Sequence, residues 1–547
     1  MIVKERLATA LADALQKTQA ESGQPSNGTP EIRLDVPPSA EMGDFSSDLA
    51  VALARASGQS ARQVAEGLAA NLAQEQSLIQ RIDISSSGIL NIHLQPGWLQ
   101  EVVREARVQR DDFGKSDELG QGKSVQVEFV SAYPTAPLTV LHGRGAAFGD
   151  ALATVLAWNG YQVTREFYVN DAGSRFERFA RSVEAEYLRQ QGRTDVRPLV
   201  DGFQGEYLSQ VVREISAQVG NQYVDLPASE RQQELGKLGL KAMLQQQRET
   251  LAKLGVEFDE WRFESELLSG GVLQDALSCL REKGFVYETD GAVWLRSSEL
   301  GDEADRPLLR SNGEPTYLAG DLAYHLDKFR RGFERVIDIW GPDHATYARR
   351  TRAGIQALGY DPEVLDILVL EPVTLKIDGQ LVEGSGTGGN NIPLSEVIQE
   401  VGKVTARFSY LMRDSDAPLE FDLDQARENP AGSPANRVRR VLEMTRQLVS
   451  EGNVPPVDAA ESYEDNPLAA ALRRSLASFP DEVRAAAREL DPSRIARFAL
   501  DLAGRVDELV QSHHKSNGVS LSLGLIDAAA VVLSNSLTIL GCAPDRA

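Results

Sequence analysis

The chain has 547 residues, 42% of them apolar, which is enough to bury several cores and too much for one small domain. Its 57 basic and 80 acidic side chains give a formal net charge of -23, which disfavours nonspecific capture of polyanions while leaving room for a local basic groove. Two cysteines, Cys279 and Cys542, support neither a disulfide framework nor a thiolate metal cluster, so a reducing, cytoplasmic setting is expected.

The amino terminus, MIVKERLATALADALQKTQAES, alternates apolar and charged residues as a surface helix does. No apolar run approaches the length of a membrane span, and no export signal is expected. A turn-rich segment leads to a short strand and an apolar-periodic helix, ending in DFSSDLAVALA. IQRIDISSSGILNIHLQP alternates like two strands joined at a turn, and GWLQEVVREARV returns to helix. These elements make a small α+β domain over residues 1–115.

After the polar joint RDDFGKSDELGQGKS, VQVEFVS reads as the first strand of an α/β unit over residues 120–425. A helix from RGAAFGD and a strand in TREFYV follow, and such alternation favours a parallel sheet with ligands at its strand ends. Residues from about 175 to 290 read as a charged helical insertion. Two further α/β elements are PTYLAGDLAYHLDKF and a strand that ends in WGPDH. ENPAGSPANR then opens a helical domain over 426–547, an antiparallel bundle with Asp481 and Asp491 as helix caps.

The ordered series VEFVSAYPTAPLTVLHGRGAAFGDAL, REFYVNDAG, DGAVWLRSSELGDE, GEPTYLAGDLAYH, RVIDIWGPDH and LMRDSDAPLEFDLDQARE resembles the arginyl-tRNA synthetase family over nearly the whole chain. The resemblance implies an α/β, Rossmann-like class I synthetase catalytic domain. It also implies an N-terminal α+β additional domain that contacts the tRNA elbow, and a C-terminal all-α anticodon-binding bundle. The family reaction forms arginyl-adenylate and pyrophosphate from arginine and ATP, then transfers arginine to the terminal adenosine of tRNA(Arg).

Two signatures carry the ATP chemistry in that family. The first, His-x-Gly-His at a helix start, stands here as Thr139, Val140, Leu141 and His142. Threonine donates a hydrogen bond but cannot carry an imidazolium charge, and the isobutyl group of Leu141 takes volume that adenine would use against the backbone. His142 stands open between a phosphate contact and a retained helix cap. The second signature, resembling Lys-Met-Ser-Lys, falls at Glu383, Gly384, Ser385 and Gly386, with both lysines absent. A glutamate there repels phosphate, while the glycine-rich stretch reads as a backbone anion nest or a plain surface loop. Lys376 is the one rescue cation, with an outward, solvated side chain as its plainer reading. The catalytic candidates are thus His142, Ser385 and Lys376, and the ATP-site candidates are Thr139, Leu141, His142, Asp343 and His344.

For the amino acid, the resemblance implies Glu128 and Ser131 at the first strand end, with Tyr317 and Asp321 approaching the guanidinium. A carboxylate suits the planar donor fork of a guanidinium, and helix capping is the competing reading of Asp321. Tyr133 stands where the family has asparagine, a ring in place of a short amide. Neither His325 nor His344 has metal-ligand spacing with another histidine or cysteine, and the adjacent His513 and His514 cannot face one ligand from a regular helix, so no metal site is expected. In the last domain the arginines of NRVRRVLEMTRQL and ALRRSLASF offer phosphate contacts or simply solvated faces. The aromatic and basic run that anticodon binding uses is thinner here than the resemblance implies.

The substitutions converge on one chemical step. The expectation is a synthetase-like protein that keeps arginine or tRNA binding but is impaired in ATP-dependent adenylate formation, working by arginine sensing, RNA binding or regulation of a protein partner. The alternative is an active arginine–tRNA ligase with an atypical loop, and a third reading is different chemistry in the remodelled cleft. No tightly bound cofactor is expected, ATP with Mg²⁺ enters only with activity, and the family implies a monomer.

Overall fold

The computed structural model describes residues 3–22, 32–35, 37, 42–57, 59–73, 77–383, 392–428, 432–457, 466–515 and 521–543. Two compact units result: Met1–Lys115 with Arg437–Ala485 and Arg497–Ser536, and Ser116–Asn436 with Ala486–Ala496 and Leu537–Ala547. Among the described residues no helix is long and apolar enough to cross a membrane.

At the start of the chain, helices α1 (Val3–Ser22), α2 (Leu49–Ser57), α3 (Ala61–Leu72) and α4 (Pro96–Gln109) accompany a three-stranded antiparallel sheet. Its order is β1 (Phe45–Ser47), β3 (Leu90–Leu94), β2 (Ile79–Ile84). Gly43 enters β1 with φ of +100°, and a β-carbon there would fall 2.7 Å from the Ile92 carbonyl oxygen, so only glycine fits.

The second unit is built on five parallel strands: β4 (Ser124–Glu128), β5 (Gln162–Val169), β6 (Glu260–Phe263), β10 (Arg335–Trp340) and β11 (Leu365–Val369), in the order β11-β10-β4-β5-β6. A small antiparallel sheet of β7 (Val286–Thr289), β8 (Ala292–Leu295) and β9 (Arg306–Leu309) precedes β10 in sequence. A third sheet joins β12 (Val373–Ile377) to β13 (Gln380–Glu383) and β14 (Leu419–Asp422).

Helix α5 (Val140–Trp158) links β4 to β5 and lies close on the sheet. A β-carbon at Gly149 would sit 2.2 Å from the Phe129 ring, so the helix approaches only because that side chain is missing. Arg144 of α5 is fully buried and donates to the carbonyl oxygens of Glu371 and Asp414 at 2.6 Å and of Ala417 at 2.8 Å, which fixes the helix start against the chain beyond β11. Helices α6 (Gly173–Gln190), α7 (Glu206–Val219) and α8 (Ala228–Leu254) close around Phe179, Tyr187, Val212, Leu235 and Met243.

The helical insertion read over about 175–290 is therefore interrupted. Glu260–Phe263 pairs in parallel with β5 as an edge strand of the sheet, a four-residue segment too short to show a period of its own. Helices α9 (Glu264–Ser269), α10 (Val272–Glu282), α11 (Tyr317–Arg330) and α12 (Ala348–Leu358) follow, and Leu277, Leu295, Leu322 and Leu358 fill the core between α10, α11, α12 and the antiparallel sheet. The unit continues with α13 (Leu394–Val401), α14 (Lys403–Tyr410) and α15 (Leu423–Glu428).

Four long helices end the chain: α16 (Pro434–Glu451), α17 (Pro467–Glu489), α18 (Ser493–Lys515) and α19 (Leu523–Ile539). The cap expected at Asp481 is corrected, because α17 runs unbroken through Pro480. Buried Leu472, Leu476, Phe479 and Val483 continue at helical spacing across the proline and hold the two halves in one helix. Asp491 does accept from the Ser493 N–H at 2.9 Å, two residues ahead of the α18 body.

Candidate active site

Most of the site residues gather where β4, β5 and β10 end and α5 and α11 begin. Glu128 closes β4, and the next turn holds Val130 and Ser131 at φ of 81° and 43°, left-handed values that a β-branched residue rarely adopts. Ser131 Oγ donates to Glu128 Oε1 at 3.4 Å, and Lys328 Nζ donates to Glu128 Oε2 at 2.6 Å. Lys328 is fully buried and also donates to Asp338 Oδ1 at 2.7 Å. Burial raises the Glu128 carboxyl above the usual range although Lys328 pulls it down. Asp338 is held at about 2: its burial is outweighed by Lys328 and by His325, whose Nε2 lies 2.8 Å away. The other nitrogen of His325 lies 2.7 Å from the Asp321 carbonyl oxygen.

Asp321 lies in the second turn of α11. The helix cap is Thr316, whose side chain accepts from the Ala319 N–H, so the capping role weighed for Asp321 belongs to Thr316. Its carboxyl is pushed up to about 7: burial dominates, His325 opposes, and Glu128, Glu264 and Asp338 add repulsion. Among the described residues no lysine or arginine ion-pairs with it.

Glu264 joins this cleft and was not anticipated, since it follows β6, the strand hidden in the supposed insertion. Its carboxyl is raised by burial despite hydrogen bonds from the Asn170 side chain and the Ala172 N–H, and Oε1 lies 3.9 Å from a β-carbon built on Gly320. Tyr317, at the start of α11, is 58% exposed and open to a ligand. Tyr133 is half-buried, and burial raises its phenol, with Tyr317, Glu264 and Asp321 adding to the rise and Arg175 opposing it. Asp321, Glu264, Tyr317 and Tyr133 thus stand within electrostatic reach of one another, a group of carboxyls and phenols that a cation would stabilise.

The helix start tells a different story. Thr139 caps α5, and its N–H donates to His142 Nδ1 at 3.0 Å while its Oγ1 lies 2.9 Å from the same nitrogen. Burial pulls His142 down to about 4, so the ring is neutral at pH 7 and its Nδ1 lone pair is taken by the cap. Leu141 Cδ2 lies 3.8 Å from a β-carbon built on Gly341, the residue after β10, so the isobutyl group leans into the space between that strand end and the helix start. Pro393 bridges to Thr139, and the Leu394 N–H donates to the Leu138 carbonyl oxygen at 2.8 Å, which anchors the chain after the glycine-rich stretch beside the cap.

Ser385, with Gly384 and Gly386, lies outside the described residues, as do the side chains of Glu383 and Asp343. His344 is exposed in the short turn Pro342–Tyr347, its ring centroid 6.2 Å from that of Trp340. Lys376 donates to Asp422 Oδ2 at 2.9 Å from the neighbouring strand β14, so the candidate rescue cation is engaged by a carboxylate.

Within the first unit, several of the arginines read as phosphate contacts or solvated faces have protein partners. Arg440 and Arg437 face Asp507 at 2.6 and 3.9 Å, Arg474 faces Asp44 at 3.3 Å, and Arg473 is buried. The last two correct the solvated-face reading of ALRRSLASF, Arg474 through its pair with Asp44 and Arg473 by its burial.

A parallel sheet whose strand ends carry this cleft, entered by a helix starting at Thr139, defines a class I aminoacyl-tRNA synthetase catalytic domain. Residues 103–407 match the model for the class I (R) tRNA synthetase catalytic domain, residues 5–94 the arginyl tRNA synthetase N terminal domain, and residues 436–546 the DALR anticodon binding domain. The chain is 39% identical over 561 residues to an arginine–tRNA ligase of Desulfitobacterium hafniense, covering 100% of this chain and 99% of that one. It is 38% identical over 559 residues to the Desulforamulus reducens arginine–tRNA ligase, covering 99% of each.

Among solved structures, a putative arginyl-tRNA synthetase from Campylobacter jejuni superposes with a TM-score of 0.74 at 27% identity, covering 82% of this chain and 98% of that one. The Thermus thermophilus arginyl-tRNA synthetase shares the fold, with a TM-score of 0.74 at 22% identity over 98% of this chain and 99% of that one. The chain belongs to the arginyl-tRNA synthetase family.

Proposed function

We propose that the chain binds arginine by its guanidinium in the cleft of Glu264, Asp321, Tyr133 and Tyr317, and that tRNA(Arg) is its nucleic-acid partner. One observation carries the arginine reading: Asp321 is raised to about 7 with no basic ion-pair partner among the described residues, and a guanidinium supplies the missing charge in a bidentate fork. The tRNA reading is supported by the matched N-terminal and DALR domains. Monomeric operation in the cytoplasm belongs to the same proposal.

Arginine–tRNA ligation is the reaction that full-length identity to arginine–tRNA ligases favours. In it the arginine carboxylate attacks the α-phosphate of ATP, with Mg²⁺ on the phosphates, releasing pyrophosphate. The arginyl group then passes to tRNA(Arg) with release of AMP.

A second reading, in which binding is kept and adenylate formation is impaired, rests on Leu141 and His142. The isobutyl group leans into the space beside Gly341, the histidine is neutral and engaged by the Thr139 cap, and Lys376 is held by Asp422. None of these three brings free positive charge to the phosphates, where charge develops during attack. Recognition is common to both readings, and adenylation divides them.

The test incubates the purified protein with ATP, Mg²⁺, arginine and tRNA(Arg) beside a conventional synthetase, and titrates arginine by calorimetry in parallel. Charging comparable to the control supports the ligase. Saturable arginine binding without charging supports the second reading, and no arginine binding by folded protein refutes both.

A further inference from the structure

Arg175, in the first turn of α6, is exposed at the cleft that Tyr133 lines. Its guanidinium carbon lies 4.2 Å from the Tyr133 ring centroid and 5.7 Å from that of Phe203. Stacked on a ring, a guanidinium keeps its N–H donors free around its edge. Among the described residues no aspartate or glutamate ion-pairs with Arg175.

Tyr133 is therefore a shared wall. Its phenol is within electrostatic reach of Asp321 and Glu264 and also of Arg175, so the cleft has half-buried carboxyls and an exposed, unpaired cation around one side chain. A ligand with a cation at one end and an anion at the other matches that polarity, whereas a purely cationic ligand satisfies only the carboxyls. The ring also explains what the bulk at position 133 does: a short amide has no π face on which to hold a guanidinium.

We propose that Arg175, held by stacking on Tyr133, binds the α-carboxylate of the amino acid in the cleft and makes the site selective for the complete amino acid over its decarboxylated amine. The proposal rests on the arginine reading above. Arg175 selects the ligand's anionic end, while Asp321 and Glu264 take its guanidinium.

Calorimetry with L-arginine and with agmatine, which has the same guanidinium but no carboxylate, tests it on the full chain. Wild type is expected to prefer L-arginine. Arg175→Ala is expected to weaken L-arginine binding about 10- to 100-fold, the loss of a charge-assisted hydrogen-bond pair, while agmatine changes by less than about twofold. Arg175→Lys should restore part of the preference, and Tyr133→Phe should keep it because the ring face survives. Circular dichroism verifies that the exposed substitution leaves the fold intact.

Equal weakening of both ligands by Arg175→Ala would mean a packing role and overturn the proposal. So would no change in either, or tighter binding of both, which would mark Arg175 as a competitor for the cleft. Wild type that binds both ligands equally refutes the role of Arg175 alone, whereas wild type that binds neither takes down the arginine reading and this proposal together.

Discussion

Arginine affinity should fall as the solution is acidified from pH 8 to pH 5, with Asp321 setting the slope. In the empty cleft its carboxyl titrates at about 7, so near pH 5 it is almost wholly protonated. A bound guanidinium favours the carboxylate, so arginine lowers that value and its binding at low pH expels a proton. The bound state then holds fewer protons than the free state, and affinity must rise with pH below 7 and level off above it. With a free-state value of about 7, the apparent dissociation constant is about 10-fold larger at pH 6 than at pH 8, and about 100-fold larger at pH 5.

The full span corresponds to about 2.7 kcal/mol. Glu264, also raised by burial, steepens the acid end. Titration calorimetry in two buffers of different ionisation enthalpy yields affinity and proton count together. Close to one proton released per arginine is expected near pH 6, and almost none at pH 8. Asp321→Asn should weaken binding and remove most of the slope. Flat affinity from pH 5 to pH 8 in folded protein, or proton uptake on binding, would refute the assignment of Asp321 as the guanidinium partner.

Leu141→Gly reopens the space beside Gly341. If the isobutyl group is the obstacle, relief of overpacking worth about 1–3 kcal/mol should raise arginine-dependent ATP–pyrophosphate exchange on the order of tenfold or more; no gain would argue against a steric cause. Lys328→Met removes the buried cation that separates Glu128 from Asp338 and should cost about 3–5 kcal/mol in denaturant unfolding, a loss that a shift below about 1 kcal/mol would contradict. Lys376→Ala should leave both melting temperature and charging where they were, because its side chain is engaged in a partly exposed pair with Asp422; a drop in charging would return Lys376 to the site.

Much of the scaffold was legible along the chain. VQVEFVS, the helix after it and TREFYV carry their periods locally, and the parallel sense of β4 and β5 follows from the strand–helix alternation they show, whereas the pairing of β10 with β4 joins residues 210 positions apart. The Thr139–His142 substitutions were equally plain, because a cap and a missing glycine are matters of four neighbouring residues. What those residues do in space was not: His142 becomes neutral through burial, and the reach of Leu141 toward Gly341 needs a strand 200 positions away.

The β6 strand was missed because EWRF has no room for a period, and it becomes a strand only by pairing with β5. With it went Glu264. Lys328 was not singled out along the chain, and it lies against Glu128, a partner 200 residues distant. Arg474 likewise meets Asp44 across 430 residues. Periodicity and signature residues were determined by the sequence itself, since each depends on side chains within a turn or two, whereas the cap read at Asp481 gave way to the buried face that carries α17 through Pro480. Burial, ion pairing and the carboxyl value of Asp321 were decided by tertiary structure, because dielectric and charge at a point are set by whatever the whole fold brings there, whatever its distance along the chain.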